Sequence, residues 1–196
     1  MNLLDICKKN HENDAGFCRH YMFLYSLILG MESQNVLEFG SGFSTKCIIE
    51  ALKLTGGQLT SIEQRNLETQ KAFFDQEFIS SNSSRWTFVH GDSLSVVPTL
   101  PHPAYDVVLH DGSHTGSVVA LDINNILPHI KKNGILLIHD TAHSDLGEEM
   151  REGIHSSNLS HLKHEICTLP YGYGLTLVKL LESHTTQEVD IKWRKG

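Results

Sequence analysis

No stretch of this chain is apolar for long enough to cross a bilayer. The richest apolar segment near the N-terminus, Tyr21 to Gly30, falls well short of the roughly 20 residues a span requires. A basic leader ending in a small-residue cleavage site is also missing, so no secretory signal is expected. Cysteine is sparse and scattered. Cys7, Cys18, Cys47 and Cys167 form no C-x-x-C pair, which argues against a disulfide framework and suits reduced thiols in a cytoplasmic protein. Positive charge is in deficit, with 16 Lys and Arg against 23 Asp and Glu, for a net charge of -7. That balance argues against a nucleic-acid groove, and the short basic run Lys192-Trp193-Arg194-Lys195 reads as a solvated terminus. Long repeats and low-complexity tracts are absent. What remains is 196 residues, 40% hydrophobic and 20% charged, the profile of one soluble globular domain with at most a small appendage.

The chain is organised around Val36-Leu37-Glu38-Phe39-Gly40-Ser41-Gly42-Phe43-Ser44-Thr45. A short apolar run breaks into a glycine turn, and a helical pattern follows through Ile48, Ile49, Ala51, Leu52 and Leu54. Strand, glycine turn and helix form the opening half-unit of a nucleotide-binding α/β fold. The exposed N–H groups at the helix start can donate to a polar or anionic ligand. A dinucleotide fingerprint needs a third glycine, and Thr45 stands in its place. Glu38, two residues before Gly40, would repel a pyrophosphate but could pair with an ammonium group. At these residues the chain resembles the class I S-adenosylmethionine-dependent methyltransferases, whose first motif has the form E/D-x-G-x-G.

The remaining segments follow in an order that suits this fold. Asn13 or Asp14 is placed to cap a cover helix through Phe17, Tyr21, Leu24, Tyr25 and Ile28, closed by Gly30. A second strand, Gln58 to Glu63, ends in a carboxylate suited to the ribose hydroxyls. A helix is expected over Asn66 to Ile79, and a third strand, Trp86 to Val89, leads to Asp92 and Ser93. Tyr105 to Leu109 is a fourth strand. A helix from Ser117 to Lys131 follows, distorted or ended early by Pro128. Ile135 to Ile138 reads as a fifth strand buried on both faces. A helix is expected from Leu146 to Ile154. Glu165 to Leu169 and Leu175 to Leu180 are the last two strands.

One short pattern occurs twice. His110-Asp111-Gly112-Ser113-His114 and His139-Asp140-Thr141-Ala142-His143 both read H-D-x-x-H, each after an apolar strand. On neighbouring parallel strands the two turns would lie side by side at the ligand end of the sheet. Alternation along a strand puts His110 opposite Asp111, and His139 opposite Asp140. The aspartates are therefore expected to face the pocket, His110 and His139 to pack beneath it, and His114 and His143 to be free to meet ligand. Tyr105 to His143 further resembles a methyltransferase subfamily with a D-G-x-H turn after strand four and an H-D turn after strand five, near the catechol-type and sugar O-methyltransferases.

The resemblance implies a Rossmann-like fold: a mostly parallel seven-stranded sheet with an antiparallel last strand and helices on both faces. It implies N-terminal cover helices over 1–34, a cofactor-binding catalytic domain over 35–181 and a polar tail over 182–196. S-adenosyl-L-methionine would be bound by Glu38 at its ammonium end, by Gly40, Ser41, Gly42, Ser44 and Thr45 along its methionine portion, by Glu63 at the ribose and by Asp92 and Ser93 at the adenine. Asp111 would border the cofactor as well. Catalysis would fall to Asp111, His114, Asp140 and His143, on an oxygen of a small molecule or sugar. A divalent cation would sit on Asp111 and Asp140. The third ligand of the relatives falls on Thr141, a weaker donor for a hard ion, with His143 as the substitute. Without a metal, His114 or His143 would serve as general base. Neither nucleic acid nor membrane is an expected partner, whereas a homo-oligomer is compatible with the sequence. Three rivals stand beside this reading. One is a nicotinamide-dependent oxidoreductase, disfavoured by the missing glycine. Another is a cofactor-binding protein without turnover. The third is a zinc-type hydrolase built on the two H-D-x-x-H turns, which leaves Glu38 and Glu63 unexplained.

Overall fold

The computed structural model describes residue 8 and residues 16–71, 73–101 and 104–183. The lead-in segment before residue 14, its capping residues Asn13 and Asp14, and the tail beyond residue 183 lie outside the described residues, Lys8 excepted. A 3-10 turn over Gly16–His20 precedes helix α1 (Tyr21–Gly30). Strand β1 (Asn35–Phe39) leads to α2 (Phe43–Thr55), and β2 (Gln58–Glu63) to α3 (Gln76–Asn82). Then come β3 (Trp86–His90), the single-turn α4 (Ser93–Val96), β4 (Tyr105–His110) and α5 (Gly116–Ile126). The chain closes with β5 (Ile130–His139), α6 (Gly147–Ser156), β6 (His164–Leu169) and β7 (Leu175–Leu180).

All seven strands form one sheet in the order β3-β2-β1-β4-β5-β7-β6. The first five run parallel, and β7 is antiparallel to both β5 and β6. Alternation along each central strand supplies two cores. Val36 and Leu137 join Leu24, Ile28, Ile48 and Leu52 beneath α1 and α2, while Leu37, Leu136 and Ile138 join Val119, Ile123 and Met150 beneath α5 and α6. A strand apolar on both faces is the signature of a covered parallel sheet. Strand order reverses between β1 and β4, so the loops leaving their C-terminal ends part and open a crevice there. No helix among the described residues is long and apolar enough to cross a membrane.

Helix bounds differ from the sequence expectation where polar side chains or proline intervene. Asn66 accepts a hydrogen bond from the Thr69 amide (3.0 Å) and holds a 3-10 turn over Leu67–Gln70. Asp75 accepts from the Phe78 amide (2.7 Å) and starts a second helix. Two caps thus split the expected helix over Asn66 to Ile79. Pro128 ends α5 in a 3-10 turn over Leu127–His129, and Lys131 falls in β5 rather than in a helix. There its ammonium pairs with Asp106 across the β4–β5 edge at 2.8 Å. Asn133 adopts a left-handed φ of 63° inside β5.

Candidate active site

A cleft of about 670 Å³ lies at the strand-order reversal. Four loops line it, one after each of β1 to β4. They bring Gly40 to Ser44, Glu63 to Arg65, Gly91 to Leu94 and Asp111 to Ser113 to the walls, with Phe17 and Tyr21 closing one side. Gly40 is required where it stands. Its φ is +86°, and a side-chain Cβ would lie 2.6 Å from the Asp111 carbonyl oxygen, so only glycine lets the β1 and β4 loops touch.

Eight of the ten residues expected to hold the cofactor line this cleft: Gly40, Ser41, Gly42, Ser44, Glu63, Asp92, Ser93 and Asp111. Glu38 and Thr45 do not. Glu38 is only 1% exposed, beneath the glycine turn. Its Oε1 accepts from Thr45 Oγ1 (2.5 Å) and Ser61 Oγ (2.6 Å), and its Oε2 from Ser44 Oγ (3.1 Å). Trp86 Nε1 donates in turn to Ser61 Oγ at 2.8 Å. The carboxylate therefore braces the turn from below. Burial pushes Glu38 up to about 7, with the hydroxyl hydrogen bonds from Ser61, Thr45 and Ser44 opposing the rise. Thr45 Oγ1 also accepts from the Gly42 amide at 3.0 Å, so the residue in place of the third glycine locks the loop.

Glu63 stands at the cleft wall with a partner that sequence reading did not supply. Arg65 donates to both its oxygens, Nε to Oε1 at 3.0 Å and Nη2 to Oε2 at 2.8 Å, and the Ser41 amide adds a bond at 3.1 Å. Burial alone would raise the Glu63 carboxyl; Arg65 reverses this and holds it below the ordinary value. A basic residue two positions after the acidic strand end was the available signal. Asp92 caps α4 through the Leu94 amide, and Ser93 Oγ donates to Asp122 at 2.6 Å.

The paired H-D turns come together with a one-residue offset. His110 lies beside Ile138 in the β4–β5 register, so Asp111 meets His139, not Asp140. His139 Nδ1 is 3.2 Å from Asp111 Oδ1 and 3.2 Å from Asp140 Oδ2. Asp140 reaches the same side as His139 because it leaves the strand with a left-handed φ of 61°, which breaks the expected alternation. His139 is thus a member of the cluster and not packing beneath it. His110, on the opposite face, donates to buried Asp122 at 3.0 Å, as expected of a histidine below the pocket. His114 Nε2 donates to Asp140 Oδ2 at 2.7 Å with a third of its side chain exposed.

His139 Nε2 faces the Gly172 carbonyl at 3.1 Å. Both ring nitrogens therefore meet acceptors, which favours the doubly protonated ring. Burial works against that charge, yet the Asp111 and Asp140 carboxylates outweigh it and push His139 up to about 10. Burial would also raise Asp140, but its bonds from His114 and His139 hold it well below the usual carboxylate range. The hydrogen bond to Asp140 raises His114.

His143 is not brought into the cluster. Its Nδ1 accepts from the amides of Asp145 (3.1 Å) and Leu146 (3.3 Å), and its ring meets Tyr173 edge-on at 4.5 Å. Thr141 is likewise buried away, its hydroxyl accepting from Thr176 at 2.9 Å. Among the described residues, donor atoms of Asp111, His139 and Asp140 lie within 4.8 Å of one another, a set that could hold a metal ion. Over them the 3-10 turn packs against the β6–β7 loop. Phe17 lies 4.7 Å from the His139 ring, and His20 shares the Gly172 carbonyl at 3.0 Å. Burial and the neighbouring His139 lower His20.

The sequence pattern of a family described as "Methyltransferase domain" matches residues 37–141, more than half of the chain. The chain belongs to this methyltransferase family. It is a class I S-adenosylmethionine-dependent methyltransferase in fold and family, and the oxidoreductase and hydrolase rivals fall away. The methyltransferase shares its fold with many solved structures. The S-adenosylhomocysteine-bound methyltransferase PaMTH1 of Podospora anserina superposes with a TM-score of 0.71 at 14% identity, covering 91% of this chain and 87% of that one. The O-methyltransferase of Bacillus cereus, bound to S-adenosylhomocysteine, gives 0.65 at 14% identity over 91% and 90% of the two chains. TomG of Streptomyces achromogenes, an O-methyltransferase of tomaymycin synthesis in complex with S-adenosylmethionine, gives 0.64 at 18% identity over 91% and 88%. No curated protein matches the methyltransferase by sequence.

Proposed function

We propose that this methyltransferase transfers the methyl group of S-adenosylmethionine to an oxygen of a small molecule or sugar, at a centre made by Asp111, His139, Asp140 and His114. The observation that carries this reading is the position of Asp111. It lines the cofactor cleft and bonds His139, so it joins the cofactor site to the cluster. Two of the three structural relatives named above are described as O-methyltransferases, which supports an oxygen acceptor. In this reading Glu63 takes the ribose and Asp92 with Ser93 the adenine. Ser44 lines the cleft and gives its hydroxyl proton to Glu38, so its lone pairs face the ligand as an acceptor. Glu38 thereby reaches the cofactor's ammonium end only through Ser44.

His114 acts as general base. Its Nε2–H is held by Asp140, which leaves the other ring nitrogen to take the acceptor's hydroxyl proton. The freed oxygen attacks the methyl carbon, the carbon–sulfur bond breaks, and neutral S-adenosylhomocysteine leaves. The donor set also suits a divalent cation. A ligating histidine commonly donates its second N–H to a carbonyl, as His139 does to Gly172. Asp111, His139 and Asp140 would hold the ion, which when bound would lower the pKa of an acceptor hydroxyl. The test is S-adenosylhomocysteine release from a panel of phenols, catechols and sugars, with and without divalent ions. Turnover of a hydroxylated acceptor that drops at least about a hundredfold in Asp111→Asn supports the reading. Turnover only of amine or thiol acceptors overturns it.

A further inference from the structure

We infer that His139 makes this centre a mixed nitrogen–oxygen site, selective for a borderline, later first-row divalent ion of the cobalt or zinc type over magnesium or calcium. The inference rests on the metal reading above and adds the class of ion. Three independent features support it. The one-residue offset between β4 and β5 sets His139 beside Asp111, displacing the position that the doubled H-D pattern assigns to a second aspartate. The left-handed backbone of Asp140 returns its carboxylate to the same ring nitrogen. Finally, the Gly172 carbonyl fixes the ring through Nε2, and Phe17 packs against it, so Nδ1 cannot turn away from the carboxylates.

The side chains that could have made an all-oxygen set point elsewhere. Thr141 is engaged by Thr176 and is 2% exposed. Hard ions favour carboxylate, carbonyl and water oxygens, whereas imidazole favours later first-row metals. One imidazole in a three-residue set therefore discriminates against magnesium. On binding, the ion takes the place of the proton that Nδ1 otherwise shares with the two carboxylates, and that proton leaves to solvent.

The test uses the full chain, stripped of metal with a chelator and titrated calorimetrically with manganese, cobalt and magnesium. Manganese-loaded protein is then examined by electron spin-echo spectroscopy. The expected result is tighter binding of cobalt than of magnesium, with modulation from one directly bound imidazole nitrogen. In His139→Asp the cobalt-to-magnesium preference should fall by at least about tenfold and the nitrogen signal should vanish. His139→Asn, which introduces no extra charge, is the companion variant should the aspartate prevent folding, and it should behave alike. A bound ion with no nitrogen signal, or a preference unchanged in either folded variant, overturns the selectivity alone. Failure of every ion to bind, with methyl transfer indifferent to chelation, overturns the metal reading together with this one.

Discussion

At the scale of single residues, the buried acid Glu38 and the half-buried His114, the base proposed above, decide most. Three hydroxyls and burial define Glu38. Its folded value near 7 lies above the ordinary 4.5, so between those pH values the native state keeps a proton that the unfolded chain has lost. Its contribution to stability therefore falls as pH rises from 4.5 to about 7 and is flat above. Glu38→Gln removes this dependence. The stability difference between the variant and the natural protein should move by about 3 kcal/mol in the variant's favour between roughly pH 4 and pH 8. Urea titrations at both pH values measure it, and a constant difference would show that Glu38 does not titrate in this range. His114 works in the opposite sense. The hydrogen bond to Asp140 raises its pKa, and only the neutral ring can take a proton. Turnover should therefore climb with pH through an inflection above 6.5, the ordinary histidine value, and then level. His114→Gln should lose that inflection and about 10²–10⁴-fold in kcat, with cofactor affinity little changed.

Elements place these groups. The β1 turn touches the β4 turn through Gly40 and Asp111, an approach that leaves no room for a side chain. Gly40→Ala adds both the strain of a left-handed φ and a collision with backbone, at a cost of roughly 3 kcal/mol or more. It should also deform the two loops that meet at the cleft. Denaturant unfolding together with S-adenosylhomocysteine titration checks both effects. A stable variant with normal binding would mean that the loops part at no cost. The β6–β7 loop has a comparable role over the cluster, since its Gly172 carbonyl serves His20 and His139 at once. Neither contact can be read from one element alone, because each arises where two separately coded turns meet.

For the whole molecule, the crevice exists because the sheet winds outward in two directions from β1 and β4. Ligand binding there engages loops from four strands, so it should stabilise the fold as a unit. S-adenosylmethionine at about 100 times its Kd should add about 2.7 kcal/mol and raise the thermal midpoint by roughly 5–10 °C. Differential scanning fluorimetry reads this directly, and an unmoved midpoint at millimolar cofactor would contradict binding in the crevice. Glu63→Ala removes the carboxylate at the β2 end of the cleft and should diminish the shift.

The sequence by itself determined the architecture. Apolar runs buried on both faces, a glycine turn after β1 and an acidic end to β2 are local patterns, and each found its expected place at the cleft or in the core. Local pattern also announced two H-D turns on adjacent strands. Only the tertiary structure decided what those turns make. Strand register is a long-range property, and a slip of one residue exchanges a histidine for an aspartate opposite Asp111. The left-handed turn at Asp140, the hydroxyl cage under Glu38 and the arginine over Glu63 depend likewise on which side chains meet across the sheet's edge. Spacing along one chain does not encode those meetings, because they are set by how the packed layers come to rest against each other.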